Sequence, residues 1–265
     1  MIRALFLRGL RQHFLLLGIL FSGLFLFEVG VVWIGARLDM GPQFRQLLQT
    51  FLPPGFVDAV FNQFGFGSFA GTVSFGYQHP LVLISAIAMV VVLSTIPAQE
   101  RESGFLDLLL ARPLSRTSYI SAAGINILLS ALVSALALLG GTAVGLSLVD
   151  PPEVIRWTQY IPSAASLVLL LSAIGSYTLL FATGAKRRGI AVAQAVGITM
   201  VFYWLDFMGD YWGLLETARL LSPFYYFDPA RTASSGLALT EILVLGGIAA
   251  TAIPAAFLNF KRQDL

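Results

Sequence analysis

The chain has 265 residues, of which 57% are hydrophobic and 11% are charged. About a quarter of the residues of a soluble domain are charged, so this composition excludes water as the main solvent of the protein. The absence of cysteine excludes disulfides and thiolate chemistry, and no GxxxxGKS/T or GxGxxG nucleotide motif occurs. The pI near 9.0 is explained by basic residues that flank membrane spans, and we expect no nucleic-acid partner.

Long uncharged stretches predict a membrane protein. Residues 59–99, 117–149 and 157–185 carry no charged side chain, and about 20 apolar residues are enough for a helix to cross a bilayer. Runs such as LVLISAIAMVVVL lack the period-two alternation of a barrel strand. We therefore predict an all-α fold, one membrane domain over residues 1–265, whose spans must be helices. The six predicted spans cover residues 14–36, 80–98, 119–148, 160–184, 189–207 and 237–258.

The first thirteen residues, MIRALFLRGLRQH, predict an amphipathic lead-in that lies at the membrane interface. The apolar run from Phe14 to Ala36 that follows is longer than the core of a signal peptide, which has about 7–15 residues. We therefore expect an uncleaved first span.

The lysines and arginines predict the orientation. With the N-terminus inside, the inner segments hold eleven of the sixteen basic residues, including both lysines. The positive-inside rule then predicts that both termini are cytoplasmic. The run Lys186-Arg187-Arg188, between spans four and five, is the clearest anchor.

Two outer segments differ from simple loops. Residues 37–79 predict a long outer loop, with an interfacial helix interrupted at Pro53-Pro54 and a Gly- and aromatic-rich stretch in the headgroup zone. This loop is a candidate site for an extracytoplasmic partner. Residues 208–236 contain GLLETARLLSPF, which predicts a short helix that dips back into the outer leaflet before span six.

A charged segment, residues 99–118, separates spans two and three. Six of the seventeen residues from Glu100 to Arg116 are charged. Pro97 favours a bend at the end of span two, because proline disturbs a regular helix. Good helix formers follow from Glu100 to Ala111, with acids in the first turn, where the helix dipole favours them.

The predicted helix ends at Arg112-Pro113, because proline disfavours helical geometry in the residue before it. Ser115 or Thr117 can cap the next span. The segment is thus predicted to be a short amphipathic helix along the inner membrane surface. Either it only rests on lipid headgroups, or it binds a protein. Three acids against an anionic leaflet are unfavourable, which favours a protein partner.

The run ERESGFLDLLLARPLSR resembles the signature of type-2 ABC transporter permeases, which follows the second span of those proteins. The layout agrees as well, with a basic lead-in, six spans, an aromatic stretch at 222–226 and a C-terminal FKRQDL. The residues that match the signature as they stand are Glu100, Arg101, Glu102, Gly104, Leu106, Leu109, Leu110, Pro113, Ser115 and Arg116.

The resemblance implies the membrane subunit of an ATP-driven exporter in a bacterial or archaeal plasma membrane. Two permeases, identical or different, would pair, and each would dock a separate cytoplasmic ATPase that binds MgATP. The chain itself would be no enzyme and would hold no cofactor. The apolar spans favour a hydrophobic or amphipathic cargo, but the sequence does not identify the substrate.

The resemblance also implies that the charged segment is a coupling helix seated in the ATPase. Glu100, Arg101 and Arg116 are predicted to form ion pairs with that partner, and Phe105 and Leu109 to fill its apolar cleft. The full set of predicted docking residues is Glu100, Arg101, Gly104, Phe105, Leu109, Pro113, Ser115 and Arg116.

A few residues inside or beside the spans are further candidates. Glu28, Pro223 and Phe224 are candidates for a translocation path or gate, since an ionisable group inside a span is costly. Alternatively, Glu28 reaches the outer interface or is buried in its neutral form against another helix. Gly140, Gly141 and Gly145 predict close helix packing in span three.

Two other functions stay open. An intramembrane enzyme would need paired acids or Glu/His clusters, but the sequence has only two histidines and no HExxH motif. A membrane assembly factor would leave the charged segment without an ATPase partner.

Overall fold

The computed structural model describes residues 2–37, 42–53, 55, 57, 68–106, 115–209 and 212–262. Within these ranges the regular structure is helical, and no strand occurs. The α-helices are α1 (Ile2–Gly35), α2 (Pro42–Phe51), α3 (Phe69–Gln78), α4 (Pro80–Ser94), α5 (Ile96–Glu102), α6 (Arg116–Ser147), α7 (Ile161–Gly184), α8 (Arg188–Gly209), α9 (Pro229–Ser235) and α10 (Leu239–Lys261).

Six helical stretches are long and apolar enough to cross a membrane, which confirms the prediction of an all-α protein with six spans. The third, fifth and sixth are α6, α8 and α10, and α3 and α4 together make the second. The bounds of the spans are Arg11–Gly35, Phe69–Ser94, Arg116–Ser147, Trp157–Gly184, Arg188–Gly209 and Leu239–Lys261.

The second span begins at Phe69 and not at residue 80, so the Gly- and aromatic-rich stretch before it is helical. The Ser68 side chain caps α3 by accepting a hydrogen bond from the Gly71 amide. The Glu153 carboxylate accepts hydrogen bonds from the amides of Phe69 and Ala70, at 3.1 and 3.3 Å. These contacts satisfy amides that a helix N-terminus leaves without partners, and they explain why helix begins this early.

The amphipathic lead-in is continuous with the first span. Both belong to α1, which has 34 residues and is therefore about 51 Å long at 1.5 Å per residue. No proline or glycine separates residue 10 from residue 14, so nothing in the sequence breaks the helix where the interface segment was predicted to end.

The helices pack around α7, the most buried span. In its most apolar stretch 67% of residues are buried, against 17–22% in α1, α8 and α10. Helices α4, α6, α8 and α10 all contact α7, whereas α1 packs mainly along α6. The lightly buried α1, α8 and α10 thus lie at the periphery, where their apolar faces can contact lipid.

The segment before the sixth span turns back beside α8 in short 3₁₀ turns and not in the single helix that we predicted. The turns cover Gly213–Leu215, Ala218–Leu221 and Pro223–Tyr226. The buried Ser222 hydroxyl donates to the carbonyl oxygen of Phe202 at 2.8 Å. Proline has no N–H to donate within a helix, which explains why one 3₁₀ turn ends at Leu221 and the next begins at Pro223.

The helix ends gather at the two ends of the bundle. Helices α1, α6 and α8 begin at the end where α4, α7 and α10 finish, as the contacts between these termini show. This end carries Lys186-Arg187-Arg188, Lys261 and Arg262, and we call it the basic end. Helix α3 and the 3₁₀ turns lie at the opposite end.

Candidate functional site

The charged segment begins directly after the second span, at the basic end. Pro97 lies in the first turn of α5, where a proline costs little because its missing N–H has no partner to lose. The helix stops at Gly104, whose φ of 70° is left-handed, a conformation that glycine adopts without the cost that a side chain imposes. The predicted helix from Glu100 to Ala111 is therefore wrong as a single element in its described part, since α5 starts earlier and ends at Glu102. Residues 107–111 lie outside the described residues.

Glu100 faces the protein, with 8% of its surface exposed. The Arg8 guanidinium donates to its Oε1 at 2.7 Å, and the Tyr119 hydroxyl donates to its Oε2 at 2.5 Å. Both carboxylate oxygens are thus occupied by side chains of α1 and α6. The guanidinium also lies over the Phe105 ring, 4.4 Å from its centroid.

Arg101 holds the C-terminal end of α7. Its Nη1 donates to the carbonyl oxygens of Thr183 and Ala185, at 3.2 and 3.0 Å. The last carbonyls of a helix have no partners within the helix and carry partial negative charge. A guanidinium placed there satisfies them and binds the charged segment to the most buried span.

Glu102 and Arg188 connect the segment to α8. The Glu102 Oε2 accepts a hydrogen bond from the Arg188 amide at 2.9 Å, which places a negative charge at a helix N-terminus, where it is stabilising. The Arg188 side chain reaches back to the Thr95 hydroxyl and the Val92 carbonyl, at 3.3 and 3.5 Å. The end of the second span is thus attached to the start of the fifth.

Arg116, the last residue of the signature, binds the end of the sixth span. Its Nη1 donates to the carbonyl oxygens of Phe260 and Lys261, at 3.3 and 3.0 Å. Ser115 caps α6, because its hydroxyl accepts from the Ser118 amide at 3.1 Å, as the sequence predicted. The start of α6 is therefore fixed locally by Ser115 and over a long range by Arg116.

The exposed residues in the described part of the segment are Gln99, Glu102, Ser103, Gly104, Phe105, Ser115 and Thr117. Phe105 exposes 37% of its surface, whereas the next residue, Leu106, is fully buried. The predicted docking residues Leu109 and Pro113 lie outside the described residues. Of the predicted set, Gly104, Phe105 and Ser115 are therefore exposed, whereas the charged groups contact helices of their own chain.

A second polar site surrounds Glu28, which is fully buried. The Thr142 hydroxyl donates to Glu28 Oε1 at 3.1 Å, and the Tyr77 hydroxyl lies 3.0 Å from the Thr142 oxygen. Glu28 Oε2 has no hydrogen-bond partner among the described residues. Glu28 is therefore buried against α6 and does not reach the outer interface, and its role in a path or gate stays a prediction.

Two glycines make room for this carboxyl group. A Cβ at Gly141 would lie 2.7 Å from the Glu28 Cβ and 2.7 Å from the Phe25 carbonyl oxygen, and a Cβ at Gly76 would overlap the carboxyl group itself. At Gly141 the obstacle includes the Phe25 backbone, so this position needs glycine, whereas a side chain at Gly76 would require the Glu28 carboxyl group to move. The close packing predicted for Gly141 is confirmed, and the same holds for Gly145 against Val32. We call the space around Glu28 the glutamate niche.

Pro223 and Phe224 are buried in the turn beside α8. The Phe224 ring meets the Tyr203 ring edge-on, with 5.5 Å between centroids. The turn contacts α7, α8 and α10, whereas the glutamate niche is formed by α1, α3 and α6. The three candidates for a path or gate thus belong to two different sites.

Sequence reasoning did not find Arg8 or Tyr119 as partners of Glu100, nor Thr142 and Tyr77 beside Glu28. Arg8 and Glu100 are 92 residues apart, and Thr142 and Glu28 are 114 apart. The usable signal was chemical: a carboxylate that is buried needs hydrogen-bond donors from elsewhere in the chain. Within the described part of the chain, no three His, Asp or Glu side chains lie together so as to hold a metal ion.

Six apolar helices, with a charged segment hydrogen-bonded to their ends, define a polytopic membrane protein. A comparison with protein families defines the class further. Residues 19–261 match the family model described as multidrug efflux system permease Rv1217c, C-terminal domain. The chain therefore belongs to this family of membrane permeases, in agreement with its resemblance to type-2 ABC transporter permeases. A search of curated proteins found no match.

Proposed function

We propose that the protein is the membrane subunit of an ATP-driven exporter, in which a separate cytoplasmic ATPase hydrolyses MgATP and docks on the charged segment. The observation that carries the proposal is the set of contacts from this segment to the ends of five spans. Glu100 reaches α1 and α6, Arg101 reaches α7, Glu102 reaches α8, and Arg116 reaches α10. Because these contacts join the segment directly to the spans, a movement of the segment is transmitted to them.

The structure also changes the roles that we propose for the signature residues. Glu100, Arg101 and Arg116 hold the segment on the bundle, and docking falls on Gly104, Phe105 and the residues that follow. An exposed aromatic ring beside a glycine turn suits an apolar cleft, because aromatic residues bury large apolar areas at interfaces. Leu109 and Pro113 stay in the proposed docking set.

We further propose that the basic end faces the cytoplasm of a bacterial or archaeal cell, as the positive-inside rule implies. A second permease copy, identical or different, would complete the membrane part. The family description favours an amphipathic or hydrophobic substrate. The chain offers a long apolar surface for such a molecule, since only 17–22% of the residues in the most apolar stretches of α1, α8 and α10 are buried.

The test is co-purification of the permease with a candidate ABC-type ATPase from the same organism, followed by an ATPase assay in detergent. Phe105→Asp should abolish co-purification or reduce permease-dependent ATPase activity at least tenfold, because a charge in an apolar cleft is strongly disfavoured. Leu148→Asp is the matched control, because Leu148 is an exposed apolar residue at the far end of α6, and it should retain wild-type activity.

If the wild-type permease neither binds nor stimulates the ATPase, the exporter proposal is wrong, and an assembly factor or an intramembrane enzyme becomes the better hypothesis. If the complex forms and Phe105→Asp behaves like wild type, the exporter proposal stands and the docking surface lies elsewhere.

A further inference from the structure

A groove opens at the basic end between α7, α8 and α10. It has a volume of about 460 Å³. Its apolar lining is formed by Leu180, Phe181 and Ile190, and its polar groups are Lys186, Gln194 and Asn259. Ala185 also lines the groove, and its carbonyl oxygen accepts a hydrogen bond from Arg101, so the groove adjoins the charged segment. None of its lining residues belongs to the glutamate niche.

The amide of Gln194 is unusual for a residue on the surface of a span. Gln194 is exposed and lies six residues into α8, about 9 Å along the helix axis. Its side chain makes no hydrogen bond to any residue that the structure describes. A polar group this far along an apolar span is costly in lipid without a partner, so this position favours a ligand that brings hydrogen-bonding groups into the groove.

Lys186 makes one side of the groove's rim basic, and three more basic residues are close to the lining residues in the sequence. Lys186 lines the groove, Arg187 follows in the chain, and Lys261 and Arg262 follow Asn259 at the end of α10. All four basic residues are exposed. No described acidic side chain forms an ion pair with them, and the Glu102 carboxylate nearby accepts a hydrogen bond from the amide of Arg188.

We propose that the groove binds one anionic phospholipid from the leaflet at the basic end. An acyl chain packs against Leu180, Phe181 and Ile190, and the Gln194 amide bonds to the ester oxygens. The phosphate and the anionic headgroup lie between Lys186 and the basic residues around it. Basic pockets between spans are a known way to recognise anionic lipid headgroups.

The charges distinguish this occupant from two others. A second copy of the chain placed on this groove would bring its own basic rim against the first, and like charges across an interface cost several kcal/mol. A cationic amphipathic molecule would meet the same repulsion from Lys186. Only an anionic amphipathic molecule satisfies both the apolar lining and the rim.

The experiment uses the full chain purified in mild detergent, without an ATPase, so it does not depend on the proposed exporter function. Phosphatidylglycerol and phosphatidylcholine with identical acyl chains are titrated, and bound lipid is counted by native mass spectrometry. We expect tighter binding of phosphatidylglycerol. Lys186→Gln should weaken it about fivefold, the equivalent of about 1 kcal/mol for one basic residue at a membrane surface.

Two further variants separate the groove from general surface charge. Ile190→Trp fills the apolar lining and should remove most of the tightly bound phosphatidylglycerol, and it should fold because Ile190 is exposed. Arg156→Gln removes the same charge from an exposed site at the opposite end and should bind like wild type. Thermal unfolding of each variant establishes that the fold is intact.

Three outcomes would overturn the proposal. The first is equal binding of the two lipids by the wild-type protein. The second is wild-type phosphatidylglycerol binding in both Lys186→Gln and Ile190→Trp. The third is a change of oligomeric state in Ile190→Trp without loss of lipid, which would assign the groove to a second copy of the chain.

Discussion

Two buried carboxyl groups of this protein, Glu100 and Glu28, are stabilised in opposite ways. Glu100 lies at the basic end, where a guanidinium and a phenol occupy both of its oxygens. Glu28 lies among α1, α3 and α6, with one hydroxyl donor and no cation. The first site is defined by charge pairing, and the second is defined by shape, since two glycines make space for the side chain.

The difference follows from where each group lies in the bundle. At the basic end, helix termini expose carbonyls and amides, so charged side chains find partners from several spans. Farther along α1 the neighbouring backbone groups are already bonded within helices, and only side-chain hydroxyls remain. We therefore expect substitutions in the glutamate niche to act through packing volume, and substitutions in the charged segment to act through pairwise charge interactions.

The largest effect is expected for Glu28→Ala. This change removes the Thr142 hydrogen bond and leaves a void beside two glycines that cannot fill it, which should lower the free energy of unfolding by about 3 kcal/mol. Glu28→Gln keeps the volume and the acceptor oxygen and should lose less than half as much. Chemical unfolding in detergent measures both.

If the two substitutions prove equally harmful, the carboxyl group itself is required, and the comparison between shape and charge fails at this site. If Glu28→Gln instead keeps its stability but loses transport in the reconstituted complex, Glu28 belongs to the translocation path or gate.

The next largest effect is expected for Gly141→Ala. A methyl group here would lie 2.7 Å from both the Glu28 Cβ and the Phe25 carbonyl oxygen, so α1 and α6 would have to separate at a cost of about 2 kcal/mol. Gly140→Ala is the matched control in the same helix. Its methyl group would meet only the Phe25 ring, at an ordinary 3.5 Å.

Gly140→Ala should therefore leave the unfolding temperature nearly unchanged, whereas Gly141→Ala should lower it clearly. Equal unfolding temperatures for the two variants would show that α1 does not pack against Gly141 in the purified protein, and the niche would lose its structural basis.

The sequence predicted the number of spans and the position of the charged segment because both are local patterns. The mean hydropathy of neighbouring residues is enough to detect a span, and the charged residues from Glu100 to Arg116 are close together in the sequence. The start of the second span was missed, because the Glu153 carboxylate that binds the N-terminus of α3 lies more than 80 residues farther along the chain.

The partners of the charged side chains could not be predicted for the same reason. Arg101 binds carbonyls 82 and 84 residues away, and Arg116 binds carbonyls 144 and 145 residues away. No local period encodes such pairs. Backbone carbonyls at helix ends also have no residue-type signature, so an arginine that binds them looks in sequence like one that awaits a protein partner.

The smallest effect is expected for the pair of Arg8 and Glu100, which a double-mutant cycle can isolate. Because the Arg8 side chain keeps 32% of its surface exposed, water screens part of the attraction, and we expect a coupling energy of about 1 kcal/mol between Arg8→Gln and Glu100→Gln. Unfolding free energies of the four proteins give this value directly.

The control cycle pairs Arg8→Gln with Glu102→Gln. Glu102 lies two residues from Glu100, but its carboxylate binds the Arg188 amide, so the coupling to Arg8 should be close to zero. A measurable coupling for Glu100 and none for Glu102 shows that Glu100 holds the charged segment on α1. Zero coupling in both cycles would leave Glu100 available to a partner ATPase. The role first predicted for Glu100, docking to the ATPase, would then explain its place in the signature better than attachment of the segment to α1.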